Sequence, residues 1–491
     1  MADWEKYDKK NPREHVLLRP DTYVGDIEPT EEEMWVFSEE KKYLEKKKIT
    51  YVPGLYKIYD EVLVNARDHS VNDTTCNTIK IWVNADEGYI KVMNNGDNGI
   101  PVVQHEKHKM LVPTMIFGDL MSGSNFDDTV KRTTGGKNGL GAKLGNIFST
   151  SFNIEIQDGK NKKHFNQTWL DNMSSVEPAQ VTKQTGKSFT QVTFHPDLKR
   201  FKIKEFGDHI SLFKKRAYDL AAVTDPRVKV YFNDEKVEIP HFKKYMDLFY
   251  PEAEKFYDDS NSRLQVGCIY QPNQGGETIS YVNGICTWRG GSHVNYVTDV
   301  IIKKLISDFM KKKDKELSVS PMYLKENLVF FINAEIDNPA FSSQTKDTLT
   351  TKTDNFGTGK YNPPDLFLKK IAKSGLVDQV LELAKFKENA GLKKTDGKKT
   401  VTLRGVPKLE DANKAGGSES TKCALILTEG DSAKAFAMAG LGIIGNDYYG
   451  VFPLKGKPLN VREATTTQLS DNEEINNLKK ILGLKHTCDL S

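Results

Sequence analysis

Asp60-Glu61-Val62-Leu63-Val64-Asn65-Ala66-Arg67-Asp68, read with Thr134-Gly135-Gly136-Lys137-Asn138-Gly139-Leu140-Gly141-Ala142-Lys143, decides how this chain folds and what it handles. The first stretch sits in a helical pattern from Leu55 to His69. At about 100° per residue, Leu55, Ile58, Val62, Ala66 and His69 share one stripe, and Glu61, Asn65 and Asp68 fall within an arc of roughly 60° at its edge. Pro53-Gly54 marks the start. A carboxylate and an amide therefore point from the core edge into one space. Glu61 can accept a proton from water attacking a γ-phosphate. Asn65 can offer a carbonyl oxygen to Mg²⁺, which prefers hard oxygen ligands. The plain alternative is an amphipathic helix with a polar flank.

The second stretch adds a phosphate-binding pattern. Gly136, Gly139 and Gly141 stand in G-x-x-G-x-G spacing, and Ala142–Ile147 reads as the opening of a helix. Glycines let backbone amides approach phosphate oxygens, and a helix N-terminus favours negative charge. Lys137 and Lys143 can add charge. No Walker A loop accompanies it: Gly186-Lys187-Ser188 is preceded by Val181 where that motif has its leading Gly, so it reads as a turn. Between the two stretches an alternating segment, Ile79–Met93, breaks near Asp86-Glu87-Gly88 and leads into Asn94-Asn95-Gly96-Asp97-Asn98-Gly99-Ile100-Pro101. An Asn before a tight Gly turn can hydrogen-bond a base edge, although Asn-Gly also makes ordinary turns.

Acid helix, Asn-Gly turn and glycine loop, in this order, resemble the GHKL (Bergerat) ATPase family. The resemblance implies Mg²⁺ and ATP as cofactor and substrate. It makes Glu61 the general base, Asn65 the Mg²⁺ ligand, Asn94 the adenine contact, and Gly136, Lys137, Asn138, Gly139, Leu140, Gly141, Ala142 and Lys143 an ATP lid.

Further segments are similar to the eukaryotic-type type IIA topoisomerase family. These are Glu14-His15-Val16-Leu17-Leu18-Arg19-Pro20-Asp21-Thr22-Tyr23-Val24-Gly25, Ile147-Phe148-Ser149-Thr150, Gln344-Thr345-Lys346, Glu429-Gly430-Asp431-Ser432-Ala433-Lys434 and Pro453-Leu454-Lys455-Gly456-Lys457-Pro458-Leu459-Asn460-Val461-Arg462-Glu463. The resemblance implies a switch loop whose Lys346 and Gln344 reach the γ-phosphate, and a TOPRIM metal carboxylate at Glu429. It also implies an N-terminal arm whose Tyr7 touches the partner subunit's ATP, and phosphate contacts from Ser124 and Asn125. Three departures stand out. The Asn-Gly turn is one residue longer, which leaves open whether Asn94 or Asn95 faces adenine. Gly123 replaces a hydroxyl residue. His69 follows Asp68 where an Asn is usual.

By this resemblance the chain is α/β (α+β). Residues 1–245 form a GHKL ATPase α/β sandwich with an N-terminal dimerisation arm. Residues 246–395 form a transducer resembling ribosomal protein S5, 396–420 a linker, and 421–491 a partial TOPRIM unit. Local patterns agree in outline. Gln265–Tyr270, Thr278–Val282 and Leu328–Ala334 are strand-like, Asn283-Gly284 is a turn, Val294–Met310 and Pro364–Lys387 are helical, and Ala424–Leu427 reads as a buried strand. Residues 391–420 are rich in Gly, Lys and Ser. Glu31–Lys48 is charge-dense and reads as a loop or surface hairpin. Lys311, Lys312 and Lys313 read either as a solvated helix end or, by the resemblance, as a DNA-sensing loop.

Hydrophobic residues at 38%, charged residues at 28% and a net charge of +3 fit a soluble globular protein whose DNA contacts are local. Five scattered cysteines show no zinc or disulfide spacing, which suggests a reducing compartment, and no apolar run approaches the roughly 20 residues that span a membrane. The implied partners are double-stranded DNA, a second copy of the chain, and the remainder of a topoisomerase in cis or in trans. The implied setting is a nucleus or a viral factory. The sequence has no Asp-x-Asp-x-Asp cluster after Glu429 and no segment matching the DNA-cleaving tyrosine, so a fragment of a longer enzyme is expected. The expected function is an ATP-hydrolysing, dimerising clamp for duplex strand passage. The alternatives are another GHKL clamp, of chaperone or mismatch-repair type, and a non-catalytic nucleotide-gated DNA-binding module.

Overall fold

The helix expected around Glu61 runs from Pro53 to Asn72 in the computed structural model, with Pro53 in its first turn. The structure describes residues 7–120, 122–123, 127, 129–136, 139–272, 276–313, 319–393 (387–393 by backbone alone), 406, 408–462 and 472–482. The plain alternative of an amphipathic helix with a polar flank does not describe it. Leu55, Ile58, Val62 and Ala66 are buried as the stripe requires, but so are Glu61 and Asp68 at its edge, and Lys57, Asp60 and Arg67 besides. Asn65 is exposed. A helix covered nearly all round must pair the charges it carries, and those pairs build the site. Its entry is tight: the Gly54 amide donates to the Asp26 carbonyl at 2.7 Å, and a Cβ on Gly54 would meet the Phe201 ring at 3.3 Å.

Packing divides the chain into two units. One comprises Met1–Gly267, Thr278–Val297 and Phe330–Asn362, the other Cys268–Glu277, Thr298–Val329 and Pro363–Ser491. In the first unit the Glu61 helix lies on a nine-stranded sheet. The strand order is Glu235–Lys236, Lys229–Phe232, Thr78–Asn84, Tyr89–Asn95, Phe189–Pro196, Ser149–Asp158, Lys163–Leu170 and Ser175–Val176, with Gln180–Lys183 also on Lys163–Leu170. The break near Asp86 is a hairpin turn that pairs Ile79 with Asn94 and Asn84 with Tyr89. Burial alternates along both strands, so Ile90, Val92 and Asn94 share the inner face while Asn95 faces out. Phe152, Phe165 and Phe194 fill the core above the sheet. Charge-dense Glu31–Lys48 forms the surface hairpin Thr30–Phe37 with Leu44–Tyr51.

A second, five-stranded sheet has the order Lys255–Asn261, Leu264–Tyr270, Leu328–Ala334, Thr278–Val282, Ile285–Cys286. The expected helix from Val294 is Ser292–Leu305, continued by a π-helical turn, Ile306–Met310. In the second unit, Ala424–Glu429 pairs in parallel with Tyr449–Leu454 beside the helix Gly430–Ile444. Phe386, Met438, Leu441 and Val451 form its core. The expected buried strand Ala424–Leu427 is not buried: Ile426 packs toward that core, but Leu427 is 45% exposed. Its partner strand is the buried one, with Gly450, Val451, Phe452 and Pro453 all covered. Near the end of the stretch read as a linker, Ala412 is buried and Glu410 bridges Val451.

Candidate active site

Glu61 sits at the centre of a chain of buried charges. Its Oε1 is 2.7 Å from Lys57 Nζ, one turn earlier on the same helix. Lys346 Nζ donates to both carboxylate oxygens, at 2.9 and 3.2 Å. Lys57 also lies 3.7 Å from Asp60 Oδ2, and Asp60 accepts from Arg216 Nε at 2.6 Å. Arg216 Nη2 in turn donates to the Gly284 carbonyl at 2.7 Å. Burial alone would raise the Glu61 carboxyl, but Lys346 and then Lys57 overcome it and hold it at about 2. Burial likewise works against the Lys57 ammonium, and Glu61 with Asp60 reverses the effect, so its pKa is raised.

The glycine loop packs directly on this carboxylate. The lid helix forms over Gly141–Ile147, and a Cβ on Gly141 would meet Glu61 Oε2 at 2.1 Å. Asp68 fixes the start of the loop: Oδ1 accepts from the Gly135 amide at 2.9 Å and Oδ2 from the Gly136 amide at 2.7 Å. The Gly136 amide is thus aimed at Asp68. Burial raises the Asp68 carboxyl despite Arg67 and the two amides. Lys143 donates to the Ser122 carbonyl at 2.6 Å and also to the Gly139 carbonyl. It therefore staples the loop to the preceding segment, and burial lowers its pKa to about 8. Lys137, Asn138, Ser124 and Asn125 lie outside the described residues.

At the Asn-Gly turn the two asparagines do different things. Asn95 Oδ1 accepts from the Asn77 and Thr78 amides at 3.0 and 2.9 Å, and its Nδ2 donates to Asn77. It is spent on the strand edge. Asn94 lies on the inner face, which favours it as the base contact. Asp73, just past the helix end, holds the residues after the turn. Asp73 accepts from the Asn98 amide at 2.8 Å and from the Thr75 hydroxyl at 2.7 Å. Burial opposes the charge on Asp73, and these hydrogen bonds hold its carboxyl at about 2. Gly96, at φ +137°, is required here because a Cβ would meet His69 Nε2 at 2.5 Å and Asp73 Oδ2 at 2.6 Å.

The switch loop reaches the site from the second sheet. Lys346 adopts φ +61°, unusual for a side chain-bearing residue, and its Nζ is delivered to Glu61. Asn283, which the sequence marks only as a turn, ties the lid to this segment. Its Nδ2 donates to the Thr134 carbonyl at 3.2 Å and its Oδ1 accepts from the Ile336 amide at 2.8 Å. Asn338 adds a second tie, with its Oδ1 accepting from the Arg132 amide at 3.1 Å.

These elements enclose a cavity of about 370 Å³ lined by Glu61, Asn65, Leu140, Ala142, Gln344 and Lys346, large enough for a small-molecule ligand. Gly136, Gly139, Gly141 and Lys143 also border it, while Asn94 is not among its lining residues. Asn65 is exposed one turn after the buried Glu61, so its amide oxygen is a hard metal ligand open to water. That fits Mg²⁺, which takes few protein ligands. Sequence reasoning missed Lys57, Asp60, Arg216, Asp73 and Asn283. A lysine four residues before the acid was a visible signal for Lys57 alone.

Other expected residues are not among the residues that line this cavity. Tyr7 is exposed. Lys311, Lys312 and Lys313 are exposed at a helix end, and Lys313 pairs with Asp378 at 2.5 Å. Glu429 is exposed where the helix Gly430–Ile444 begins. Among the described residues, no group of three or more His, Cys, Asp or Glu side chains is placed to hold a metal.

Comparisons with known proteins follow the same outline. Residues 50–200 match the family model for histidine kinase-, DNA gyrase B- and HSP90-like ATPases, and residues 228–400 match that for DNA gyrase B. DNA topoisomerase 2 of Drosophila melanogaster is 46% identical over 98% of this chain and 34% of its own length. That of Acanthamoeba polyphaga mimivirus is 48% identical over 98% of this chain and 38% of its own length. The chain thus spans about a third of the length of these relatives. The crystal structure of the ATPase region of Saccharomyces cerevisiae topoisomerase II superposes with a TM-score of 0.74 at 41% identity, covering 78% of this chain and all of that one. The ATPase and transducer domains of DNA topoisomerase II from Balamuthia mandrillaris give 0.76 at 39% identity, covering 79% of this chain and all of that one.

Proposed function

The chain belongs to the family of type II DNA topoisomerase ATPase regions, and on that premise we propose that it is a Mg·ATP-operated clamp that closes by dimerisation and drives duplex strand passage. The observation that carries this reading is Lys346. A lysine on a loop beyond the strand Leu328–Ala334 reaches the carboxylate of the Pro53–Asn72 helix, inside a cavity bordered by a glycine loop.

Glu61 is the general base and orients the attacking water. Held at about 2 while both lysines touch it, the carboxylate is a weak base, because base catalysis favours a pKa near the working pH. A γ-phosphate offers Lys346 a second anion. As Lys346 moves to it, Glu61 keeps Lys57 for orientation and gains basicity. Asn94 contacts adenine, Asn65 gives its oxygen to Mg²⁺, and the backbone from Gly139 to Ala142, with Gln344, lies against the phosphates. The metal, when bound, neutralises charge on the phosphates. Loss of the γ-phosphate returns Lys346 to Glu61 and releases the closed state. Such a ligand drives the change only because it binds one state better. Tyr7 is assigned to the partner's nucleotide, Lys311–Lys313 to the captured duplex, and Glu429 to a metal site completed elsewhere. The setting is wherever duplex DNA is untangled, a nucleus or a viral factory; among the described residues no helix is long and apolar enough to cross a membrane.

The test is steady-state ATP hydrolysis with Mg²⁺ across a protein-concentration series, with and without linear duplex DNA. Rates that rise more than linearly with protein and increase with DNA at low salt are expected. Folded, ATP-bound protein that never hydrolyses would reduce the site to a nucleotide-gated binding module.

A further inference from the structure

Two departures from the family pattern meet in space: His69, on the Pro53–Asn72 helix, and the longer Asn-Gly turn. Gly96 of that turn sits at φ +137°, and three side chains close on it. A Cβ there would meet His69 Nε2 at 2.5 Å, Asp73 Oδ2 at 2.6 Å and Cys76 Cβ at 3.2 Å. Asp73 and Cys76 are buried, and the His69 side chain is 20% exposed. Asp73 also holds the rest of the turn. It accepts from the Asn98 amide at 2.8 Å and from Asn98 Nδ2 at 3.2 Å, while the Asp97 amide donates to Thr75 Oγ1 at 2.7 Å. His69 Nε2 lies 3.5 Å from Asp73 Oδ2 and has no hydrogen-bond partner. Burial lowers its pKa despite Asp73, so the ring is uncharged at neutral pH. What His69 supplies is shape, an imidazole packed against Gly96.

The Gly96 amide belongs to the peptide unit that carries the Asn95 carbonyl. Asn94 Nδ2 donates to that carbonyl at 3.4 Å, and among the described residues its side chain makes no other hydrogen bond. A carbonyl only accepts, so it decides which way the Asn94 amide faces: Nδ2 is turned to the backbone and Oδ1 is left to accept. Purines differ in what they offer such an acceptor. Adenine carries an exocyclic amino donor where guanine carries a carbonyl oxygen. An asparagine free to rotate its amide suits either base, whereas one whose Nδ2 is held suits the amino form. Past the turn, Ile100 lines the nucleotide cavity, so the braced segment leads into the site.

We propose that His69 is a positioning residue for base selection. By bracing Gly96 it holds the Asn95 carbonyl against Asn94 Nδ2, and so presents Asn94 Oδ1 to a base bearing an exocyclic amine. The proposal rests on the nucleotide reading of the cavity and adds to it the residue that sets its selectivity. It also joins the two departures: the longer turn and the larger side chain against its glycine act as one unit.

The test is calorimetric titration of two β,γ-imido triphosphates, with Mg²⁺, into the full chain. One is the ATP form; the other is the purine riboside form, which lacks the 6-amino group. The ligands share their phosphates, so their affinity ratio reports the base alone. The unmodified chain is expected to prefer the amino form by roughly tenfold or more. His69→Ala, once circular dichroism confirms its fold, is expected to bring the ratio close to one. Deleting Asp97 disturbs the same seat from the turn and is expected to lower the ratio too. Combining that deletion with His69→Asn is expected to restore it. Where His69→Ala does not fold, the deletion and the combined variant decide. An unchanged ratio in His69→Ala overturns the proposal, including the case where both ligands weaken in parallel, which makes His69 a structural residue only. A combined variant no better than the deletion alone overturns the link between His69 and the turn. An unmodified chain that binds both forms equally overturns the proposal and leaves the nucleotide reading standing. One that binds neither form refutes the nucleotide reading, and the proposal with it.

Discussion

Glu61→Gln separates two jobs that we assign to one carboxylate, catalysis and the restraint of Lys346. The Glu61 carboxyl is held at about 2 against an ordinary 4.5, a gap equivalent to roughly 3 kcal/mol of net attraction to its two lysines. In the variant, Lys57 keeps Asp60 at 3.7 Å, but Lys346 loses its carboxylate while buried. Removing one partner of a buried pair costs about 3–5 kcal/mol, so the nucleotide-free variant should unfold at lower urea. A γ-phosphate restores an anion to Lys346, whereas ADP does not. In the unmodified chain the same phosphate must first draw Lys346 from Glu61. The affinity ratio of a non-hydrolysable ATP analogue over ADP should therefore rise ~10–100-fold in Glu61→Gln, about half or more of the pair's attraction. Hydrolysis should fall ~10²–10⁴-fold. The assay is calorimetric titration of both nucleotides, with Mg²⁺, into both proteins. A ratio that stays level or drops would show that Lys346 does not pass between carboxylate and phosphate, and hydrolysis that persists would remove Glu61 as the base.

Gly141→Ala places a Cβ 2.1 Å from Glu61 Oε2; displacing a reacting group by about an ångström should cost ~10²-fold in hydrolysis with ADP affinity preserved, and unimpaired turnover would refute the packing argument. Asp68→Asn leaves one of the Gly135 and Gly136 amides unmet, so the variant should lose ~1–3 kcal/mol in urea unfolding and show a raised KM for ATP; equal KM would show that the lid base needs no anchor. His293 is buried, with its pKa lowered to about 3 by desolvation. The folded state thus resists protonation, and stability is full above the ordinary 6.5 and falls as pH drops from there toward 3. Between pH 6.5 and pH 5 this should remove ~2 kcal/mol, a slope that His293→Gln should flatten in pH-dependent denaturation.

What the sequence disclosed and what it hid divide along a physical line. Period-two burial made the Thr78–Asn84 and Tyr89–Asn95 hairpin readable, and glycine spacing marked the lid because only backbone freedom explains it. Glu61 and Asn65 stand out in the sequence because their residue types suit the chemistry, and Lys346 stands out only through the resemblance of its segment. The partners that hold them do not. Nothing in the local pattern links Asp60 to Arg216, because their contact spans 156 positions. Asn283 carries every local mark of a turn, and its ties to Thr134 and Ile336 depend on a neighbour that only tertiary folding supplies. The burial of the helix's charged flank was hidden for the same reason. Periodicity reports which residues align, whereas burial depends on what else packs there.

The buried charge chain also bears on why the site holds together before any ligand arrives. Taking Lys57, Asp60, Glu61, Arg216 and Lys346 out of water is expensive, and apolar residues of similar volume would stabilise the fold as well or better. Four of the five make a fixed network: Arg216, itself held by the Gly284 carbonyl, clamps Asp60, and Asp60 shares Lys57 with Glu61. Lys346 differs, because it arrives on a loop held at φ +61° and touches nothing but the carboxylate among the hydrogen-bond partners resolved for its ammonium. A network with four fixed members and one mobile cation has two low-energy arrangements only if a second anion is available to the mobile one. The cavity beside Glu61, bordered by glycine amides, is where such an anion fits. Charge burial that would be wasteful for stability therefore makes sense as a switch, with the strength of the Glu61–Lys346 pair setting how much the phosphate must supply to throw it.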